Sequence, residues 1–174
     1  MVKKKAIFFD RDGILIKAPV DKDNKPKSIK KVEEIQYVRG IKKIVKKLKK
    51  KYLLIMVTNQ PDFKRNENTL KNIKQINRKI EKDLVLDDIY VCYCKNDKCK
   101  NRKPNPGMIF MAKKKYNLDL NSCYFIGDRW RDLGAAKKSG CKSIFLDYDY
   151  NEKVLYKPDF MIKNLVGCLK IINA

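Results

Sequence analysis

Asp10-Arg11-Asp12-Gly13 follows the apolar run Ala6-Ile7-Phe8-Phe9, so two carboxylates two residues apart sit on a turn at the end of a β-prone segment. Carboxylates placed in this way can both reach a hard divalent cation such as Mg²⁺, which favours one or two carboxylates together with phosphate oxygens and water. Two later segments have the same form, an apolar run ending in polar groups. Leu53 to Val57 leads into Thr58-Asn59-Gln60-Pro61, and Cys123 to Ile126 leads into Gly127-Asp128. The chain has no histidine, which excludes Ser-His-Asp and Cys-His nucleophile systems, imidazole acid–base chemistry and His-bearing metal sites. Proton transfer is left to carboxylate, lysine, tyrosine and cysteine.

Periodicity supplies the elements that must position these groups. Residues 17 to 31, with Pro19, Pro26 and many charges, read as a loop. Between Arg39 and Tyr52, Ile41, Ile44, Val45 and Leu48 recur at helical spacing, while Lys42, Lys46 and Lys50 stack on the opposite face. Like charges four apart weaken an isolated helix, so packing of the apolar stripe must hold it. Leu70, Ile73, Ile76 or Asn77, Ile80 and Leu84 mark a second helix, and Ile89 to Cys94 a third strand. Helices are predicted from Pro106 to about Tyr116 and from Asp132 to Ser139, the second stopped by Gly140. Ser143 to Leu146 and Asp159 to Ile162 complete the strands before a last short helix. The alternation implies an α/β fold, a single domain over residues 1–174 built on one parallel sheet of five or six strands with helices on both faces. Ligands of such sheets bind at the carboxyl ends of the strands, where Asp10 and Asp12, Thr58 and Asn59, and Asp128 all fall. The small residues Gly134-Ala135-Ala136 read as a close approach of helix to sheet. Trp130, the one tryptophan, leaves rim packing and substrate stacking both open.

Phe9-Asp10-Arg11-Asp12-Gly13, Thr58-Asn59-Gln60, Arg102-Lys103-Pro104 and Gly127-Asp128 with Asp132, in that order, resemble the four motifs of the haloacid dehalogenase superfamily of phosphotransferases. Residues 58–62, 102–108 and 127–132 are most similar to its small, capless sugar phosphatases and the related histidinol-phosphatase group. The resemblance implies a Rossmann-like domain without a separate cap and a Mg²⁺-dependent phosphatase. Asp10 would be the nucleophile that takes the phosphoryl group, and Asp12 the acid and then the base. Thr58 and Asn59 would bind the phosphoryl group, and Lys103 would neutralise it. Asp10, Asp128 and the main chain of Asp12 would hold Mg²⁺, with Asp132 in support. The loops 17–30, 61–68 and 92–102 would set selectivity, Arg102 meeting a second polar group of a sugar. The cysteine loop departs from the pattern: where the relatives bind zinc through Cys-x-His and Cys-x-Cys, this chain has Cys92-Tyr93-Cys94 and Cys99-Lys100-Asn101. Three thiolates leave zinc and a metal-free, redox-sensitive loop both open.

The 174 residues carry 42 basic and 20 acidic side chains, a formal charge of +22. Only seven of the basic residues are Arg, whereas base- and phosphate-reading surfaces lean on the Arg fork. A scattered Lys-rich composition and a polyanion-binding face therefore both remain readings, and nucleic acid stands as the rival partner to a small phosphorylated sugar. Cys123, Cys141 and Cys168 lie in or beside apolar runs and read as buried thiols. The four apolar residues before Asp10 are too few for a secretion signal, and no run reaches membrane-spanning length. A cytoplasmic monomer with no membrane partner is the expectation.

Overall fold

The computed structural model describes residues 2–61 and 70–172. The selectivity loop expected at 61–68 lies, beyond Pro61, outside the described residues. Strands β1 (Ala6–Phe9), β2 (Leu53–Asn59), β3 (Asp88–Cys92), β4 (Tyr124–Gly127), β5 (Lys142–Leu146) and β6 (Phe160–Ile162) alternate with helices α1 (Ile41–Leu48), α2 (Leu70–Leu84), α3 (Gly107–Tyr116), α4 (Trp130–Ser139) and α5 (Cys168–Ile172). All six strands are parallel, in the order β3-β2-β1-β4-β5-β6.

Alternate residues of the central strands feed two separate cores. Ile7 and Phe9 of β1 and Leu54 and Met56 of β2 pack with Ile41, Ile44 and Leu48 of α1, Ile76 and Ile80 of α2 and Ile172 of α5. Ala6, Phe8, Ile55 and Val57 face the other way, onto Met108, Ile109 and Ala112 of α3 and Ala135 and Ala136 of α4. Burial on both faces is why these strands read as continuous apolar runs. Helix α1 buries the four predicted residues but ends at Leu48, where the chain turns to enter β2. Among the described residues no cap domain interrupts the sheet, and no helix is long and apolar enough to cross a membrane.

The strand order reverses between β1 and β4, which opens a crevice at their carboxyl ends. Asp10 leaves β1 there, its N–H donating to Ile126 C=O at 3.1 Å, and Asp128 leaves β4 beside it. Helix α4 packs closely on the loops at this end of the sheet because Gly134 has no side chain. A Cβ at that position would stand 2.6 Å from Pro104 Cβ and 2.7 Å from Tyr156 Cε2. Alanine in place of a helical glycine gains about 1 kcal/mol, but overpacking of this kind costs about 1–3 kcal/mol. Gly134→Ala is therefore expected to lower the urea midpoint of unfolding, and a rise would contradict the tight packing.

Candidate active site

The turn after β1 carries Asp10 into the crevice with 8% of its surface exposed, and Asp128 and Asp132 are buried beside it. One oxygen of each carboxylate lies within 4.8 Å of the others, the metal-competent cluster found among the described residues. Lys103 Nζ reaches into the cluster, 2.8 Å from Asp10 Oδ1 and 2.7 Å from Asp132 Oδ1. It also donates to Val57 C=O at 2.9 Å. The ammonium is thus ion-paired with two carboxylates and hydrogen-bonded to the backbone of β2. The resemblance implies that this ammonium neutralises a phosphoryl group; in the structure it is the counter-ion of two carboxylates.

One ammonium cannot neutralise three carboxylates, and burial shifts the remaining carboxyl groups accordingly. Burial, with Asp10 and Asp132 alongside, pushes Asp128 well above the usual carboxylate range. Burial also raises Asp132 to about 6, although Lys103 opposes the shift. Desolvation works against the charge on Lys103, yet Asp10 and Asp132 outweigh it and hold the ammonium above its ordinary value. Both oxygens of Asp128 are buried without a hydrogen-bond partner, which is costly unless something else meets them. They lie against Gly13, where a Cβ would come within 1.9 Å of Asp128 Oδ2. At φ +92° the glycine both makes the turn and leaves this space. The donor set, carboxylate oxygen only, fits a hard divalent cation.

Asp12 does not join this cluster. Its carboxylate turns to Arg11, which donates from Nη2 at 2.9 Å and Nε at 3.1 Å to Oδ2. Gln60 Nε2 and Ser28 Oγ donate to the same oxygen at 3.0 and 3.1 Å. Arg11 is wholly buried and is held in turn by Gln60 Oε1 and by Asn77 Oδ1 of α2, at 3.0 and 3.1 Å. The motifs assign no role to Arg11, Gln60, Ser28 or Asn77; the one signal for Asn77 is an amide on the apolar stripe of a helix. Of the residues expected on β2, Thr58 Oγ1 accepts from Gln60 at 3.0 Å. The Asn59 amide pairs with the backbone of Lys103, accepting its N–H at 3.1 Å and donating to its C=O at 3.0 Å, so it fixes where the lysine enters.

A cleft of about 580 Å³ opens from Asp10, Asp12, Thr58 and Lys103 and is walled by Lys25, Lys27, Lys30, Arg102, Arg129 and Arg131. Arg102 lies at its rim and is engaged: its Nε meets Asp97 at 2.8 Å and its Nη1 meets Cys94 C=O at 3.0 Å. Arg131 shares Asp97 at 2.9 Å and covers the Trp130 ring, which stacks on Tyr156. Trp130 is therefore a packing residue of the rim.

The cysteine loop does not fit a structural zinc. Cys92 and Cys99 Sγ stand 4.0 Å apart, but the three thiols do not form a cluster with Cys94 at metal-binding separations. The side chain of Asn101, in place of a fourth ligand, lies against Gly107. Burial pushes the Cys92 thiol up to about 11, whereas the Asn101 backbone N–H draws Cys99 below its usual value. Cys123, Cys141 and Cys168 are buried thiols, as read from the sequence.

The family model described as polynucleotide kinase 3 phosphatase matches residues 5–155, a span that holds every site position above. A D-glycero-beta-D-manno-heptose-1,7-bisphosphate 7-phosphatase of Haemophilus ducreyi is 34% identical, with 98% of this chain and 99% of that protein covered. The chain belongs to the haloacid dehalogenase superfamily of phosphatases. Another member of the superfamily, the D-glycero-beta-D-manno-heptose-1,7-bisphosphate 7-phosphatase of Helicobacter pylori (strain ATCC 700392 / 26695), is 31% identical over 84% of this chain and 85% of its own length. A crystal structure of D,D-heptose 1.7-bisphosphate phosphatase from B. bronchiseptica, complexed with magnesium and phosphate, superposes with a TM-score of 0.80 at 25% identity, covering 98% of this chain and 99% of that one. This haloacid dehalogenase relative is thus a phosphatase, a hydrolase of phosphoric monoesters.

Lys103→Met removes the one cation from a buried anionic cluster, a change that typically costs about 3–5 kcal/mol. A carboxylate whose folded pKa is raised binds its proton more tightly folded than unfolded, so its cost to stability grows as pH rises through the unfolded value near 3.8 and is complete above the folded one, about 6 for Asp132. The loss in Lys103→Met is therefore expected to be larger at pH 7.5 than at pH 5, by urea unfolding of metal-free protein. Equal losses at the two pH values would contradict the counter-ion role.

Proposed function

We propose that the protein is a Mg²⁺-dependent phosphatase of a small phosphorylated sugar, heptose bisphosphate in type, acting through an aspartyl-phosphate on Asp10. The observation that carries the reading is the cluster at the β1–β4 switch point, three buried carboxylates with one ammonium, opening into a cleft with basic walls. The names of the relatives, heptose bisphosphate 7-phosphatases in Haemophilus and Helicobacter, supply the sugar.

Asp10 and Asp128 would hold Mg²⁺, with Asp132 fixing Lys103 beside them. The bound ion would supply charge neutralisation at the phosphoryl oxygens. Asp10 attacks phosphorus as nucleophile, dividing hydrolysis into two displacements. Asp12 gives a proton to the leaving sugar oxygen and then takes one from the attacking water, with Arg11, Gln60 and Ser28 holding its carboxylate at the mouth of the cleft. The Thr58 hydroxyl and Lys103 face the cleft floor, where the transferring group would lie. The basic walls suit the second phosphate of a bisphosphate. A second reading, hydrolysis of a nucleic-acid 3′-phosphate, is favoured by the family model and by the +22 charge.

Phosphate release is the test, with Mg²⁺ and a panel of heptose 1,7-bisphosphate, hexose monophosphates, histidinol phosphate and a 3′-phosphorylated oligonucleotide. The expected result is a kcat/KM of at least about 10⁴ M⁻¹s⁻¹ on the sugar bisphosphate. Asp10→Asn should fold and lose all but about one part in a thousand of this rate. Preference for the oligonucleotide, with an affinity that collapses between about 50 and 200 mM salt through counter-ion release, would replace the sugar reading.

A further inference from the structure

The segment between β5 and β6 takes no part in the chemistry above, yet four consecutive residues, Asp149 to Glu152, reach both walls of the cleft. One wall is the lysine loop. Residues 19–27 fold back on themselves, with Lys27 N–H donating to Pro19 C=O at 2.7 Å and Asp21 N–H to Lys25 C=O at 3.0 Å, and so present Lys25 and Lys27 to the cleft. At the tip, Asn24 Nδ2 donates to Asp149 C=O at 2.8 Å, and Asn151 N–H donates back to Asn24 C=O at 3.2 Å. Both Asn24 and Asp149 hold left-handed backbone, at φ +55° and +58°, a conformation asparagine and aspartate tolerate better than most residues. The other wall is Arg129. Glu152 grips its guanidinium at two points, Nε to Oε2 at 3.0 Å and Nη2 to Oε1. A bidentate pair of this kind fixes direction as well as charge.

The same strap is anchored to the floor of the site. Tyr148 donates to Gly13 C=O at 3.0 Å, and Tyr150 stands next to Asp128 without closing a hydrogen bond of good geometry to it. A short spacer therefore joins two cationic walls that are far apart in sequence, on a base tied to the turn after Asp12.

We propose that residues 149–152 gauge the distance between the lysine loop and Arg129, and that Asn24 and Glu152 are positioning residues that select substrates with a second anionic group. Neither side chain lines the cleft or touches the reacting atoms. The selection rests on the phosphatase reading of this site, and the geometric claim does not depend on which phosphate is hydrolysed.

The test compares wild type with Asn24→Ala, Asn24→Gly and Glu152→Ala, on a sugar bisphosphate and on the matching monophosphate, with hydrogen–deuterium exchange over residues 19–28 as a readout independent of substrate. Asn24→Ala and Glu152→Ala are expected to raise KM for the bisphosphate about tenfold with kcat within about twofold, and to leave KM for the monophosphate within about twofold. Asn24→Gly keeps the left-handed backbone and loses only the side-chain bond, so its effect should be intermediate. Exchange over 19–28 should quicken at least about fivefold in Asn24→Ala, as a loop does when its tether is cut. An equal change on both substrates, or a fall in kcat with KM unmoved, would overturn the selection role. Unchanged exchange in Asn24→Ala would overturn the tether itself. Should wild type leave the bisphosphate untouched, the sugar reading and the selection role fail together, and the exchange result alone upholds or overturns the tether.

Discussion

The ammonium of Lys103, buried between Asp10 and Asp132, is the interaction on which the rest of the site depends. It lets carboxylates converge in a space that excludes water, where unpaired charge would be neutralised by protons. Its placement is set from two directions. The Asn59 amide at the end of β2 pairs with its backbone, and Pro104 lies against Gly134 of α4. The same helix delivers Asp132, whose second oxygen accepts the Arg129 N–H at the helix start. A lysine beside a proline is thereby made a fixed part of the sheet's carboxyl edge.

The compensation is incomplete by design of the geometry. Three carboxylates share one ammonium, and the two oxygens of Asp128 have no partner. A divalent cation would supply the missing charge and ligation together, and the all-oxygen donor set suits one. Asp12, two residues from Asp10, is drawn instead to Arg11, Gln60 and Ser28. The two carboxylates of one turn thus have different surroundings, Asp10 against an ammonium and Asp12 against a guanidinium, an amide and a hydroxyl.

Much of this was legible in the sequence. Ala6 to Phe9 and Leu54 to Val57 are buried on both faces, so continuous apolar runs located the strands and their polar endings located the site. The stripes of α1 and α2 were readable from helical spacing, because each helix buries one face. The resemblance brought Asp10, Thr58, Lys103, Asp128 and Asp132 to one place, and the fold does so too. Other features depend on directions that only tertiary packing decides. Arg11 reads as a charged turn residue, yet it is wholly buried because Asp12, Gln60 and Asn77 together satisfy its donors. The strap from Tyr148 to Glu152 has neither helical nor strand periodicity, so nothing local marks it as a link between two walls of the cleft. The cysteine spacing invites zinc, but the three thiols are not all within metal-binding reach of one another and the Asn101 side chain lies against Gly107.

Calorimetric titration of the protein with Mg²⁺ at pH 6, in two buffers of different ionisation enthalpy, tests the central claim most directly, that protons fill the charge deficit of the cluster until a cation replaces them. With Asp132 titrating at about 6 and Asp128 well above the usual range, saturable binding should release about one proton per Mg²⁺, fewer as the pH rises. Saturable binding with no release of protons, or no binding at all, would contradict it.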